Sequence, residues 1–115
     1  MDKEFILEFL DFVQINNVKT KSDYHNITIM SDTNEIATIN ENGTLSINFD
    51  NKVSITKDFI TLLLDYDIKF TPVFDKKYNI WEGVALSNDK GLCLTITSDK
   101  IILPSGLIQI QTNNN

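Results

Sequence analysis

Residues 35–49 read EIATINENGTLSINF, and the fold turns on how this stretch is paired. Apolar and polar residues alternate on both sides of Asn40-Glu41-Asn42-Gly43-Thr44, the pattern of two half-buried strands around a turn. Two loops compete. A two-residue Asn42-Gly43 turn sets Leu45 against Asn40 and splits the apolar set across both faces. A three-residue loop with glycine at the left-handed position pairs Ile39 with Leu45 and Ala37 with Ile47, placing all four on one face. The second arrangement wins, because one face can then be buried whole. Glu35–Asn40 and Thr44–Phe49 are therefore predicted strands.

Upstream, Tyr24–Met30 alternates with Ile27 and Ile29 on one side and reads as a further strand. Before it, Lys3–Gln14 reads as an amphipathic helix. Phe5, Ile6, Phe9, Leu10, Phe12 and Val13 fill one arc, and Glu4, Glu8 and Asp11 share the opposite one. Continuing the helix puts Ile15 on the acidic face, and Asn16-Asn17 ends it.

Downstream, Val53 and Ile55 read as a short strand. Thr56 reads as the cap of a second helix, Lys57–Tyr66, with Phe59, Ile60, Leu62, Leu63 and Leu64 apolar. Ile68–Phe74 is a strand that Pro72 confines to a sheet edge. Ile80–Ser87 and Leu92–Thr97 form a second hairpin around Asn88-Asp89-Lys90-Gly91, pairing Leu86 with Leu94 and Val84 with Ile96. Ile101–Leu103 and Leu107–Gln111 are short final strands around Pro104-Ser105-Gly106. Thr112–Asn115 reads as a disordered polar tail.

The expected architecture is α+β: two helices packed on antiparallel β-meanders in one domain, residues 1–111. The two halves, 1–55 and 56–111, resemble each other. KEFILEFLDF from Lys3 matches KDFITLLLDY from Lys57 at five of ten positions. Each helix precedes an Asn-x-x-Gly hairpin, at Asn40 and at Asn88, and a pseudo-twofold repeat of helix plus hairpins is the expectation. Two units are too few for a solenoid.

Composition narrows function. The 115 residues hold ten basic side chains against sixteen acidic ones, for a formal charge of −6. All ten bases are lysines. Without arginine forks, and with an acidic balance, direct nucleic-acid binding is not expected. The lone Cys93 makes no internal disulfide. Phe5–Val13 is interrupted by acids and lacks the flanks of an export signal, and no apolar run has membrane-spanning length. The cytoplasm is the default compartment, so the N-x-[ST] matches at Asn26 and Asn42 carry no expectation of glycosylation. Asn, Ile and Lys are abundant and have AT-rich codons, which points to an AT-rich genome.

No constellation nominates catalysis. His25 and Cys93 stand alone on different hairpins. No Cys/His pair has zinc spacing, and Asp32-Thr33-Asn34-Glu35 and Asp65/Asp67 lack the calcium-loop pattern. The four glycines form no phosphate loop. No cofactor is expected. The candidates are partner contacts. On one face of the second hairpin, Trp81, Gly83, Ala85 and Ser87 oppose Thr97, Thr95 and Cys93, with Tyr78 nearby. Tryptophan and tyrosine are the usual interface anchors. The competing reading puts Trp81 in the core. Glu4, Glu8 and Asp11 form a solvated stripe able to steer a basic partner. The function expected is a small acidic, non-enzymatic protein-binding module, in one version a phage- or mobile-element-encoded inhibitor of a bacterial protein. A homodimeric or larger assembly subunit and a small-ligand-binding domain are the alternatives.

Overall fold

A computed structural model describes residues 2–23, 25–49, 54–104 and 109–111. In chain order the elements are α1 (Lys3–Ile15), β1 (Val18–Ser22), β2 (Asn26–Ser31), β3 (Asn34–Asn40), β4 (Leu45–Ile47), α2 (Ser54–Asp65), β5 (Lys69–Phe74), β6 (Trp81–Asn88), β7 (Gly91–Thr97), β8 (Lys100–Ile102) and β9 (Gln109–Gln111). The strands form two antiparallel meanders, β1-β2-β3-β4 and β5-β6-β7-β8-β9. This is the expected α+β fold, each helix preceding a meander.

One hydrophobic cluster holds side chains from both helices and both sheets. Phe5, Phe9, Phe12 and Val13 of α1 and Phe59, Leu62 and Leu63 of α2 meet Ile27, Ile29, Ile36 and Ile39 of the first sheet. They also meet Val84, Leu86, Leu94 and Ile96 of the second. The helices run antiparallel, with ring contacts between Phe5 and Tyr66 and between Phe12 and Phe59. Their ends share one device. α1 is followed by Asn17 at φ 50 and α2 by Asp67 at φ 52. Asn and Asp tolerate this left-handed conformation, which stops a helix.

The register expectations hold at both hairpins. Ile39 faces Leu45 and Ala37 faces Ile47. Gly43 lies at φ 83, as the three-residue loop requires, and its N–H donates to the Asn40 carbonyl at 2.9 Å. Leu86 faces Leu94 and Val84 faces Ile96. Pro72 lies on β5, an edge strand.

Other expectations need correction. VKTKS at 18–22 is a strand, although it offers little apolar alternation. Thr20 is buried there because its hydroxyl donates to the Ser98 carbonyl at 2.7 Å, tying the first sheet to the second. α2 begins at Ser54, so Ile55 is helical and Thr56 is a buried helix residue instead of the cap. Val53, Leu107 and Thr112–Asn115 lie outside the described residues. The second hairpin reaches its register by another route. Asn88 pairs with Gly91 and Ser87 with Leu92, leaving Cys93 as a β-bulge residue that does not face Ser87. The Asn-x-x-Gly loops are also not equivalent in topology. Asn40 joins the third and fourth strands of its meander, and Asn88 joins the second and third of its own. They therefore lend no support to a repeat. A bulge does recur in each sheet, at Ile36 and at Cys93, and each of these residues is fully buried.

The start of α1 is pinned to the second sheet. Asp2 is 4% exposed and caps the helix by accepting from the Phe5 N–H. Its other carboxylate oxygen accepts from Asn88 Nδ2 at 3.0 Å, and Asn88 also donates to the Tyr66 carbonyl after α2. Lys90 Nζ lies 3.8 Å from Asp2. Burial pushes the Asp2 carboxyl up, but the Phe5 N–H, the Asn88 amide and the Lys90 charge outweigh it and hold the pKa below 3.8. A carboxyl with a lowered folded pKa stabilises above its unfolded pKa, and that contribution is lost as pH falls through the folded value. Asp2→Asn keeps a capping oxygen but removes the charge. The variant is expected to be less stable than the wild type at pH 7, with the gap closing below about pH 4. Urea midpoints across that range check it, and a constant gap would rule the charge out as its source.

Candidate interaction surface

The turn between β5 and β6 is built by one side chain. Asp75 Oδ1 accepts from the Lys77 N–H at 2.7 Å and the Tyr78 N–H at 3.1 Å. The Asn79 N–H donates to the Asp75 carbonyl, and the Asp75 N–H donates to the Ile80 carbonyl, both at 2.8 Å. An aspartate that bonds the backbone two and three residues on fixes a turn. The turn displays Tyr78 at 64% exposure and Ile80 at 61%, and Phe74, the last residue of β5, is 40% exposed. Lys77 Nζ sits 5.2 Å from the Tyr78 ring centroid, within cation–π range.

Trp81 does not lie on the face expected for it. Val73 faces Gly83 and Phe74 faces Trp81, so Glu82 is an extra residue in β6. One extra residue reverses side-chain parity. Trp81 therefore shares the core-side face with Val84 and Leu86, and it packs half-buried against the hydrophobic cluster. Its indole Nε1 is buried and has no acceptor among the described residues. Such an orphan donor costs roughly 1–3 kcal/mol. Thr95 stays on the outer face, between Ala85 and Ile102. Trp81 and Thr95 thus occupy opposite faces of one sheet.

Glu4, Glu8 and Asp11 are exposed along α1. Two of them act on Tyr66: burial first, then a hydrogen bond to Glu8 and the charges of Glu8, Glu4 and Asp2, push its hydroxyl up to about 12. The start of α1 is held at the Asn88 end of β6, whereas Tyr78 lies beyond the Trp81 end. An eight-residue strand spans about 25 Å, so the start of α1 with Glu4 lies at the far end of β6 from the aromatic tip.

Open grooves are present among the described residues. One of about 520 Å³ includes Lys19, Lys21, Asp32 and Asp99. One of about 450 Å³ includes Leu63, Leu64, Asp67 and Asp89. The third, about 240 Å³, lies between the ends of the two sheets, where Ser22, Asp23 and Ile27 face Ile80, Trp81, Glu82 and Ser98. Ligand sites typically enclose about 300–1,000 Å³ and bury most of the ligand; the first two grooves reach that volume, and all three are open to solvent.

His25 pairs with Glu41, Nδ1 to Oε1 at 3.3 Å, near the β1–β2 turn. Cys93 is fully buried in β7, and burial raises its thiol pKa. The two belong to different sheets and do not form a nucleophile–base couple. Among the described residues, no group of three His, Cys, Asp or Glu side chains is placed to hold a metal ion. Likewise, no helix among them is long and apolar enough to cross a membrane.

Of the two aromatic residues expected as partner contacts, Tyr78 is exposed, whereas Trp81 packs against the core cluster. Phe74 and Ile80, also exposed around this turn, were not among the expected contacts. The available signal was FDKKYNIW at 74–81, four large side chains around a charged turn. The chain matches no family model, no curated protein and no solved structure.

Proposed function

We propose that this protein is a non-catalytic protein-binding module whose main contact is the β5–β6 tip. The observation that carries this reading is the exposure of Tyr78 and Ile80 at a turn stiffened by Asp75, with Phe74 exposed at the end of β5 that leads into it. Aromatic side chains are the commonest interface anchors. A contact surface already ordered before binding loses less conformational entropy when a partner arrives. A mobile-element inhibitor of a bacterial protein is the version that small size, acidity and AT-rich residue usage suit. The acidic balance favours a partner with a basic surface, mostly through faster encounter.

Tyr78→Ser tests the reading, because an exposed tip residue can change without disturbing the core. Tagged protein captures a stoichiometric partner from bacterial lysate, and the variant is expected to weaken that capture at least about thirtyfold, the loss of a hot spot. Equal capture by both proteins would remove the tip from the interface. Light scattering separates self-association from capture of a different protein.

A further inference from the structure

The groove between the sheet ends has a definite chemistry. Ile80, 61% exposed, supplies apolar surface, and Trp81 and the almost fully buried Ile27 line the groove with it. Asp23, from the β1–β2 turn, and Glu82, from β6, bring carboxylates from the two sheets. The His25 and Asn26 N–H groups, each 2.9 Å from Asp23 Oδ1, hold that carboxyl below its usual range, so it is ionised at neutral pH. No lysine lines this groove among the described residues; Lys19 and Lys21 line the neighbouring one.

An anionic group is repelled here. A neutral apolar side chain strips water from two carboxylates without replacing it. A long aliphatic stem with a cationic head satisfies both halves: the stem covers isoleucine and indole, and the head meets the carboxylates. Cations also favour the indole face. A groove of about 240 Å³ suits one side chain better than a whole metabolite. We propose that this groove receives a lysine or arginine side chain of the protein partner, next to the Tyr78 contact. The inference rests on the binding role of the tip, because Ile80 belongs to both tip and groove.

The chain has one tryptophan, so its indole N–H is a single reporter in an NMR titration. The probes are the capped tripeptides Gly-Lys-Gly, Gly-Arg-Gly and Gly-norleucine-Gly, together with 1,4-diaminobutane. The lysine or arginine peptide is expected to move the indole and Glu82 resonances saturably, and added salt should weaken the effect. Glu82→Gln should weaken binding roughly three- to fivefold, as for an exposed charge pair. Trp81→Phe, which keeps a ring against the core, should retain weakened binding. Equal response to the norleucine peptide, or no response to either basic peptide, would overturn the proposal. Tighter binding of the diamine than of the lysine peptide would reassign the groove to free polyamines and overturn it too. If both basic peptides fail while Tyr78→Ser still loses its partner, the groove assignment falls and the tip stands. If the peptide binds while Tyr78→Ser captures normally, the tip reading falls and the cation groove stands.

Discussion

Phe5→Ala is expected to lower the unfolding free energy by about 3–5 kcal/mol, the usual cost of emptying a buried aromatic site. Phe5 is fully buried in the first turns of α1. Its ring centroid lies 5.6 Å from that of Phe9 and 5.5 Å from that of Tyr66, so the one side chain fastens α1 to the end of α2. Small domains hold only about 5–15 kcal/mol in total, so the variant forfeits roughly a fifth or more of a typical stability. At about 4 °C per kcal/mol for a chain of this size, Tm should fall by roughly 12–20 °C. Urea denaturation followed by circular dichroism checks the value. Leu7→Ala is the control on the same helix, since Leu7 is 65% exposed, and it should change stability by less than about 0.5 kcal/mol. A Phe5→Ala loss no larger than that of the control would mean that α1 is not docked as described.

Gly83→Val should be almost as damaging, for a different reason. A Cβ at Gly83 would overlap the Ile96 carbonyl oxygen and come within 3.1 Å of the Ile96 carbonyl carbon and of Thr97 Cα. These are backbone atoms of the paired strand, so no side-chain rotation relieves the overlap. β6 and β7 would have to part beside the Glu82 bulge. The expected cost is about 3 kcal/mol, the upper range for overpacking. Ala85→Val, two residues along the same face, is the control. It places a β-branched residue on a half-buried strand position and should change stability by less than about 1 kcal/mol. Thermal melts of the two variants settle the matter. Equal stabilities would show that the strands do not approach this closely at Gly83.

The fold was largely legible because its strongest signals are local. The 3.6-residue spacing of Phe5, Phe9, Phe12 and Val13 selects a helix and the buried side of it. The Asn40–Thr44 loop permits one register that keeps Ile39, Ala37, Leu45 and Ile47 together. The candidate site was legible in part. Tyr78 follows a turn-forming aspartate, so its exposure was readable. The side taken by Trp81 was not, because strict alternation places it with Gly83 and Ala85, whereas one extra residue at Glu82 turns it toward the core.

Composition and periodicity by themselves determined two amphipathic helices, antiparallel hairpins, an edge strand at Pro72 and an arginine-free acidic surface. Each follows from a residue and its near neighbours. Tertiary structure alone decided that VKTKS is a strand, that Ile36 and Cys93 turn inward at bulges, and that Asp23 and Glu82, from different sheets, line one groove. Those outcomes depend on where a second sheet and two helices sit. A bulge is selected by the packing it permits, and alternation within a single strand holds no information about the partner that sheet must fit.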